Sequence, residues 1–238
     1  MSSPTAWART WLVPNRSVRA LVVVTVILGV GTALAVVLGT ASDERTLTVL
    51  STRVQSAMSV TVPFLGVLLV RAVPRPATRR ALLWMIAAAL TWAVTLAILG
   101  VLLCLGAVVV AGGALSPASE LPPVLLSAVL VQTLAQLTGT GLGLLVRRPL
   151  PACLLTIVLP IGLWWGLGVS ASLEPTQAWL TPYASARLLL AGDMQAIDWL
   201  RWLVMASLWG LGLNLAGLHR TWLRDTPRRR YGRVRETA

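Results

Sequence analysis

Six apolar runs, at residues 20–41, 54–70, 81–111, 121–146, 150–173 and 202–218, take up most of this 238-residue chain. Roughly 20 apolar residues in a helix cross a hydrocarbon layer about 30 Å thick, so the runs predict an all-α integral membrane protein with six transmembrane helices. Composition points the same way. Only 12% of the residues are charged, against 56% hydrophobic and a mean hydropathy of +0.78, whereas a soluble domain carries about 25% charge.

The second and sixth runs are short and bounded by arginine, which predicts a locally thin membrane or snorkelling of Arg53, Arg71 and Arg201. The third would be about 45 Å long as a helix, so part of it leaves the hydrocarbon. Gly112-Gly113 followed by Ser116-Pro117 marks its end. Pro63 and Pro160 lie inside the second and fifth runs, where each removes a rung of the hydrogen-bond ladder and predicts a kink.

Arginine placement sets the orientation. The N-terminal segment holds Arg9, Arg16 and Arg19; the second connection Arg71, Arg75, Arg79 and Arg80; the fourth Arg147 and Arg148; and the tail seven more. These 16 face the alternate connections, which carry Arg45, Arg53, Arg187 and Arg201 among six acidic residues. By the positive-inside rule both termini are cytoplasmic. The chain thus divides into a cytoplasmic or interfacial segment at 1–19, a six-helix domain at 20–219 and a basic cytoplasmic tail at 220–238.

Residues 4–13, with Trp7 and Trp11 one turn apart, read as a short amphipathic helix on the inner interface, a disordered basic leader being the plainer alternative. They lack the apolar core of a cleavable signal peptide. Trp84 and Trp222 fall at inner ends of the runs, and Trp179, Trp199 and Trp202 at outer ones, as indoles favour the headgroup region. Trp92 and Trp209 lie deeper and read as packing residues. The stretch RDTPRRRYGRVRE at 224–236 suits anionic lipid head groups, and its single aromatic, Tyr231, argues against nucleic acid as a partner.

All 20 basic residues are arginine. Without lysine there is no GxxxxGK[ST] loop, so this chain is not itself a P-loop ATPase. No ionisable residue falls inside a run, which disfavours ion-coupled transport. His219 ends the last run and reads as an interface residue. No nucleophile elbow, HExxH motif or acidic cluster suggests membrane chemistry, so no catalytic, metal or cofactor site is expected. Cys104 and Cys153, at different depths, read as free, buried thiols.

The polar residues left inside the runs are amides and hydroxyls. Gln132 and Gln136 stand one turn apart with Thr133 and Thr140 nearby, and Asn214 lies in the last run. Such groups are costly against lipid, so they either bond neighbouring helices or line a pathway. Small residues recur at four-residue spacing in Gly31-Ala35-Gly39, Gly139-Gly143 and Gly162-Gly166, which permits close helix approach. Between the fifth and sixth runs, Thr181-Pro182 reads as an N-cap and first helical residue, and YASARLLLAG runs to a glycine stop. One or two short helices are expected there, at the outer interface, with Asp198 capping the final span.

Six spans with both ends inside, a basic connection after the second, GLGLLVRRPLPACLLTIVLP at 141–160 and WLTPYASARLL at 179–189 together resemble the type-2 ABC exporter permease family over most of residues 7–220. The resemblance implies a permease half in a bacterial cell membrane. Two such chains, identical or similar, would form the translocation pathway, with ATP and Mg bound by separate ABC ATPase subunits. In that family the ATPase docks on the connection after the second span, which maps onto Arg71, Arg75, Arg79 and Arg80, and on an N-terminal amphipathic helix, which maps onto residues 4–19. Many relatives carry an acidic residue and an R-x-G-T turn in the docking segment; AVPRPATRR has neither acid nor glycine. The alternatives are a non-transporting accessory or immunity subunit and, further off, a secondary carrier or a lipid-modifying enzyme.

Overall fold

With no water to satisfy it, backbone inside a bilayer closes its hydrogen bonds within one segment, and the apolar runs accordingly become helices. The computed structural model describes residues 16–41, 45–72, 79–112, 119–146, 148–170 and 172–221. Six helices are long and apolar enough to cross a membrane: α1 (Arg16–Gly39), α2 (Leu47–Arg71), α3 (Arg79–Val110), α4 (Leu121–Leu145), α5 (Pro149–Gly168) and α8 (Ala196–Thr221). Two short helices, α6 (Glu174–Leu180) and α7 (Pro182–Ala191), lie between α5 and α8. Among the described residues there is no strand.

Helix ends depart from the hydropathy runs where polar side chains extend a helix. Neither α2 nor α8 is short: they have 25 and 26 residues. Thr46 Oγ1 accepts from Val49 N at 3.3 Å to start α2, and Thr52 Oγ1 bonds Leu190 O of α7 at 2.9 Å. The hydroxyls that lowered hydropathy here are therefore hydrogen-bonded, and they precede the predicted start at residue 54. In α8, Gln195 and Asp198 form a capping box, the Asp198 carboxylate accepting from Gln195 N at 3.2 Å. Asp198 is thus the third helical residue and not the cap. Arg53 and Arg201 consequently lie within helices and do not bound them. Charged groups do occur inside spans, within two turns of a helix end: Arg53 is exposed, and Arg201 pairs with Asp198 at 2.9 Å while its guanidinium lies 5.7 Å from the Trp179 ring centroid.

Other ends follow similar logic. α3 stops at Val110 because Gly112 takes φ +67°, and α7 stops at Gly192 with φ +82°, both left-handed positions that suit glycine. α5 ends at Gly168, before the predicted residue 173. There the Gln177 amide donates to Trp164 O at 2.7 Å, and only a glycine at 168 leaves room for it. Thr181 occupies the N-cap position of α7, yet its hydroxyl reaches back to Gln177 O at 2.7 Å and ties α7 to α6. Residues 4–13, Ser116-Pro117 and the tail from Trp222 onward fall outside the described residues, whereas Arg220 and Thr221 end α8.

α2 and α4 form the centre of the bundle. α1 and α3 pack on α2, α3 and α5 also on α4, and α8 on α4 with α6 and α7 beside it. One core joins α1 to α4 through Leu50, Val54, Met58, Leu96, Cys104 and Ala128. A second joins Leu69, Val70, Ala81, Leu82, Met85 and Leu144, and a third gathers Leu134, Leu189, Trp202, Met205 and Trp209. Trp202 is therefore a core residue and not an interfacial anchor, because the capping box starts α8 further out. Cys104 is buried, whereas Cys153 is only half-buried; both are free.

Among the described residues, only the small-residue stripe of α4 packs against another helix. A Cβ on Gly139 would strike the Pro63 carbonyl, one on Gly66 would lie 2.6 Å from Gln136 O, and one on Gly143 would lie 3.1 Å from Val67 Cα. Helices α2 and α4 thus touch backbone to backbone. Gly31, Gly39, Gly162 and Gly166 meet nothing within 4 Å. In α1 the packed face is Val18, Thr25, Gly29 and Ala33, which puts the Gly31 stripe about 200° away round the helix.

The crossing yields a stability prediction. Gly139→Ala should lower stability by about 1–3 kcal/mol, an overpacking penalty, while Gly162→Ala should stay within about 0.5 kcal/mol of the parent. Thermal unfolding in detergent measures both. Equal effects would mean that the α2–α4 contact is not tight.

Candidate functional site

On α4, Gln132, Gln136 and Thr140 recur every four residues and so line one stripe, which faces α2 and α8. All three are fully buried. Gln132 Nε2 donates to Gln55 Oε1 at 2.7 Å and to Gln55 O at 3.2 Å, and Gln55 Nε2 in turn donates to Ala97 O of α3 at 2.9 Å. Two amides therefore tie three helices. Gly100 of α3 makes this possible, since a Cβ there would lie 2.5 Å from Gln55 Nε2.

One turn along, the Gln136 amide, oriented with its nitrogen toward α2, donates to Val62 O at 2.7 Å and accepts from Gly66 N at 3.3 Å. Those are the two ends of one helical rung, beside Pro63, which carries no N–H of its own. A side chain of α4 thus grips the α2 backbone in the turn that follows Pro63, whose own missing rung is the one to Ser59 O. Both Pro63 and Pro160 lie inside helices that continue through them. Further along the stripe, Thr140 Oγ1 donates to Asn214 Oδ1 at 2.9 Å, and Asn214 Nδ2 donates to Leu137 O at 2.8 Å. At the periphery, Thr25 and Thr61 hydroxyls meet at 2.8 Å and join α1 to α2.

Chemically this ladder is neutral. It carries no nucleophile or titratable group, and the described residues contain no cluster of three or more His, Cys, Asp or Glu side chains able to hold a metal. Its amides bond between helices and are closed to bulk solvent, so within one chain they are helix-interface groups. Thr133 is off the stripe and half-buried. Gln132 Oε1 and Ser51 Oγ are buried without a hydrogen-bond partner among the described residues.

The arginine-rich end is a second, separate feature. Arg71 is the last residue of α2 and exposed, Arg79 opens α3, and Arg80 is exposed. Arg75 and the rest of 73–78 lie outside the described residues. The helix ends that flank this connection share one buried cluster with Leu144 near the end of α4. At that same end, Arg220 donates to Leu145 O at 2.7 Å and fastens α8 to α4. Near the other end, Trp164, Trp165, Gly168, Val169 and Gln177 line an open recess of about 380 Å³, with Tyr183 edge-on to Trp164 at 5.3 Å.

Sequence reasoning missed Gln55, although an amide two residues into an apolar run was signal enough. It also missed the partnership of Thr25 with Thr61, for which single hydroxyls offer no signal, since each can bond its own helix.

The Gln55–Gln132 pair is open to a double-mutant test. Gln132→Leu and Gln55→Leu each strip a buried amide of its partner, whereas the double variant removes both. The singles should be non-additive, with a coupling of roughly 0.6 kcal/mol and at most about 1.7 kcal/mol, as for other hydrogen bonds between membrane helices. Denaturation of the three variants in mixed micelles reads it; strict additivity would dissolve the pair.

Comparison with family models, with curated protein sequences and with solved structures finds no match to this chain.

Proposed function

We propose that the chain is the membrane-spanning permease subunit of an ATP-driven exporter, paired with a second such chain and driven by separate ATPase subunits. One observation carries the reading: the connection between α2 and α3 springs from helix ends locked into one cluster with the end of α4, and exposed arginines flank it. A push on that connection would reach three helices at once. Its two prolines, Pro74 and Pro76, restrict its backbone, as a lever requires.

The interior supports the same reading by what it contains. Buried groups away from the helix ends are neutral amides and hydroxyls, which fit neither ion coupling nor a proton relay. Energy would then come from a nucleotide, and a chain without lysine takes it from a partner ATPase. The closed amide ladder directs the translocation pathway to a surface between two chains. The least buried spans, α1 and α5, turn Gly31, Ala35 and Gly39 or Gly162 and Gly166 outward, offering the close approach such pairing needs. On this reading the arginine-rich end faces the cytoplasm of a bacterial cell.

The same closed interior favours a second reading, an accessory or immunity subunit that moves nothing. Two experiments separate them. Arg79→Glu together with Arg80→Glu should abolish co-purification with the ATPase and its stimulated hydrolysis at least tenfold, with folding unchanged; an accessory subunit would keep its partners. Gly162→Leu with Gly166→Leu should convert a dimer in nanodiscs to monomer by mass photometry, and a persistent dimer would move the interface elsewhere.

A further inference from the structure

Buried positions along α8 run Trp202, Met205, Trp209, Gly210, Asn214 and Gly217. Steps of three or four, from Trp202 to Met205 to Trp209 and from Gly210 to Asn214 to Gly217, each hold one face of an α-helix in line, but the two sets are one residue out of phase, so that Asn214 falls five residues after Trp209. The backbone takes up the extra residue as a π-helical turn at Ser207–Gly212. Two anchors hold that turn, one within it and one just beyond it. Trp209 Nε1 donates to Leu180 O of α6 at 2.7 Å. Asn214 Nδ2 reaches both Leu137 O of α4 at 2.8 Å and Gly210 O, inside the turn, at 2.6 Å, while its Oδ1 accepts from Thr140 at 2.9 Å.

A π turn is rare, and its ladder competes with the ordinary α register. Continued as α-helix from Trp209, the segment would bring Leu213, Ala216 and Arg220 to where Asn214, Gly217 and Thr221 now stand. That is a rotation of about 100° and a shift of about 1.5 Å. The contacts with α4 discriminate sharply between the two registers. A Cβ on Gly217 would lie 2.5 Å from Leu144 Cβ and 3.3 Å from Gly141 O, so Ala216 in its place would push α8 off α4. The Arg220 bond to Leu145 O would break with it.

We propose that Ser207–Gly212 is a register switch. Trp209 and Asn214 hold the extra residue in the π turn; its release turns the C-terminal half of α8 by one position, exchanges Asn214 for Leu213 against α4 and parts the helices at Gly217 and Leu144. The switch links α6, through Leu180, to the cluster at the arginine-rich end, against which Leu218 of α8 packs. It does not depend on an ATPase partner or on transport, and can be tested on the chain alone.

The test uses the full chain in lipid nanodiscs, with Cys104 and Cys153 replaced by alanine and nitroxides on Leu83→Cys and Leu215→Cys, both exposed positions. Rotation by one position moves a label on the helix surface by roughly 8 Å. Pulsed-EPR distances should show two populations. Asn214→Leu should enrich the second at least threefold. Deletion of Leu211, an exposed residue of the turn, makes the step from Trp209 to Asn214 four and should leave one population at the distance of the present register. A single population in the parent that Asn214→Leu leaves in place overturns the switch, and so do two populations that the deletion fails to merge. If the deletion variant does not fold, the parent and Asn214→Leu spectra decide alone.

Discussion

The backbone contact between α2 and α4, where the Pro63 carbonyl lies against Gly139 and Gly66 against Gln136, is what the rest of the bundle is built around. Lipid tails are as apolar as leucine, so burying Leu or Val between helices gains little over leaving them in the membrane. Close packing and hydrogen bonds must choose the partners instead. Where glycine lets two backbones meet, many weak dispersion contacts add up, and the amide stripe of α4 comes within reach of α2. The ladder through Gln55, Gln132 and Gln136 is thus a consequence of the crossing, and it also fixes its register. Sliding α4 by one residue would turn Gln132 and Gln136 from their partners on α2.

Proline makes sense in that setting. Pro63 deprives α2 of the rung to Ser59 O and so loosens the helix there. Gln136 does not replace that rung but holds the next turn, bonding Val62 O and Gly66 N. Asn214 does the corresponding work in α8, where its amide bonds Gly210 O within the π turn. Each irregularity in a central helix is thereby matched by one amide, and both amides bond across the helix pairs that meet along α4.

How much of this was legible in the sequence follows from the physics of each feature. The six spans were readable because hydropathy measures the very property that a bilayer selects. Their ends were less so. Thr46, Thr52, Gln195 and Asp198 lower hydropathy while lengthening helices, since caps and tertiary hydrogen bonds use polar groups. Gln132, Gln136 and Asn214 stood out as polar groups in apolar runs, but whether they bond helices or face a path depends on neighbours that only the fold supplies. The glycine stripes show this most plainly. Gly139-Gly143 and Gly162-Gly166 have the same spacing, yet one pair packs against α2 and the other meets nothing among the described residues. The π turn was written in the five-residue step from Trp209 to Asn214, legible only once both were known to be buried.

Away from the helix ends, the described interior has no charge whose binding or release could drive a change of shape. Any two-state behaviour must then come from packing, and close-packed interfaces switch between discrete arrangements more readily than they deform by degrees. Two places combine a weakened ladder with a glycine contact that tolerates only one register: Pro63 with Gly139, and the Ser207–Gly212 turn with Gly217. The first is held on both faces, by α1 through Thr61 and by α4 through Gln136. The second is held on one face only, since Leu208, Leu211 and Leu215 are exposed. Of the two, α8 is therefore the helix free to turn, and α2 is the frame it turns against.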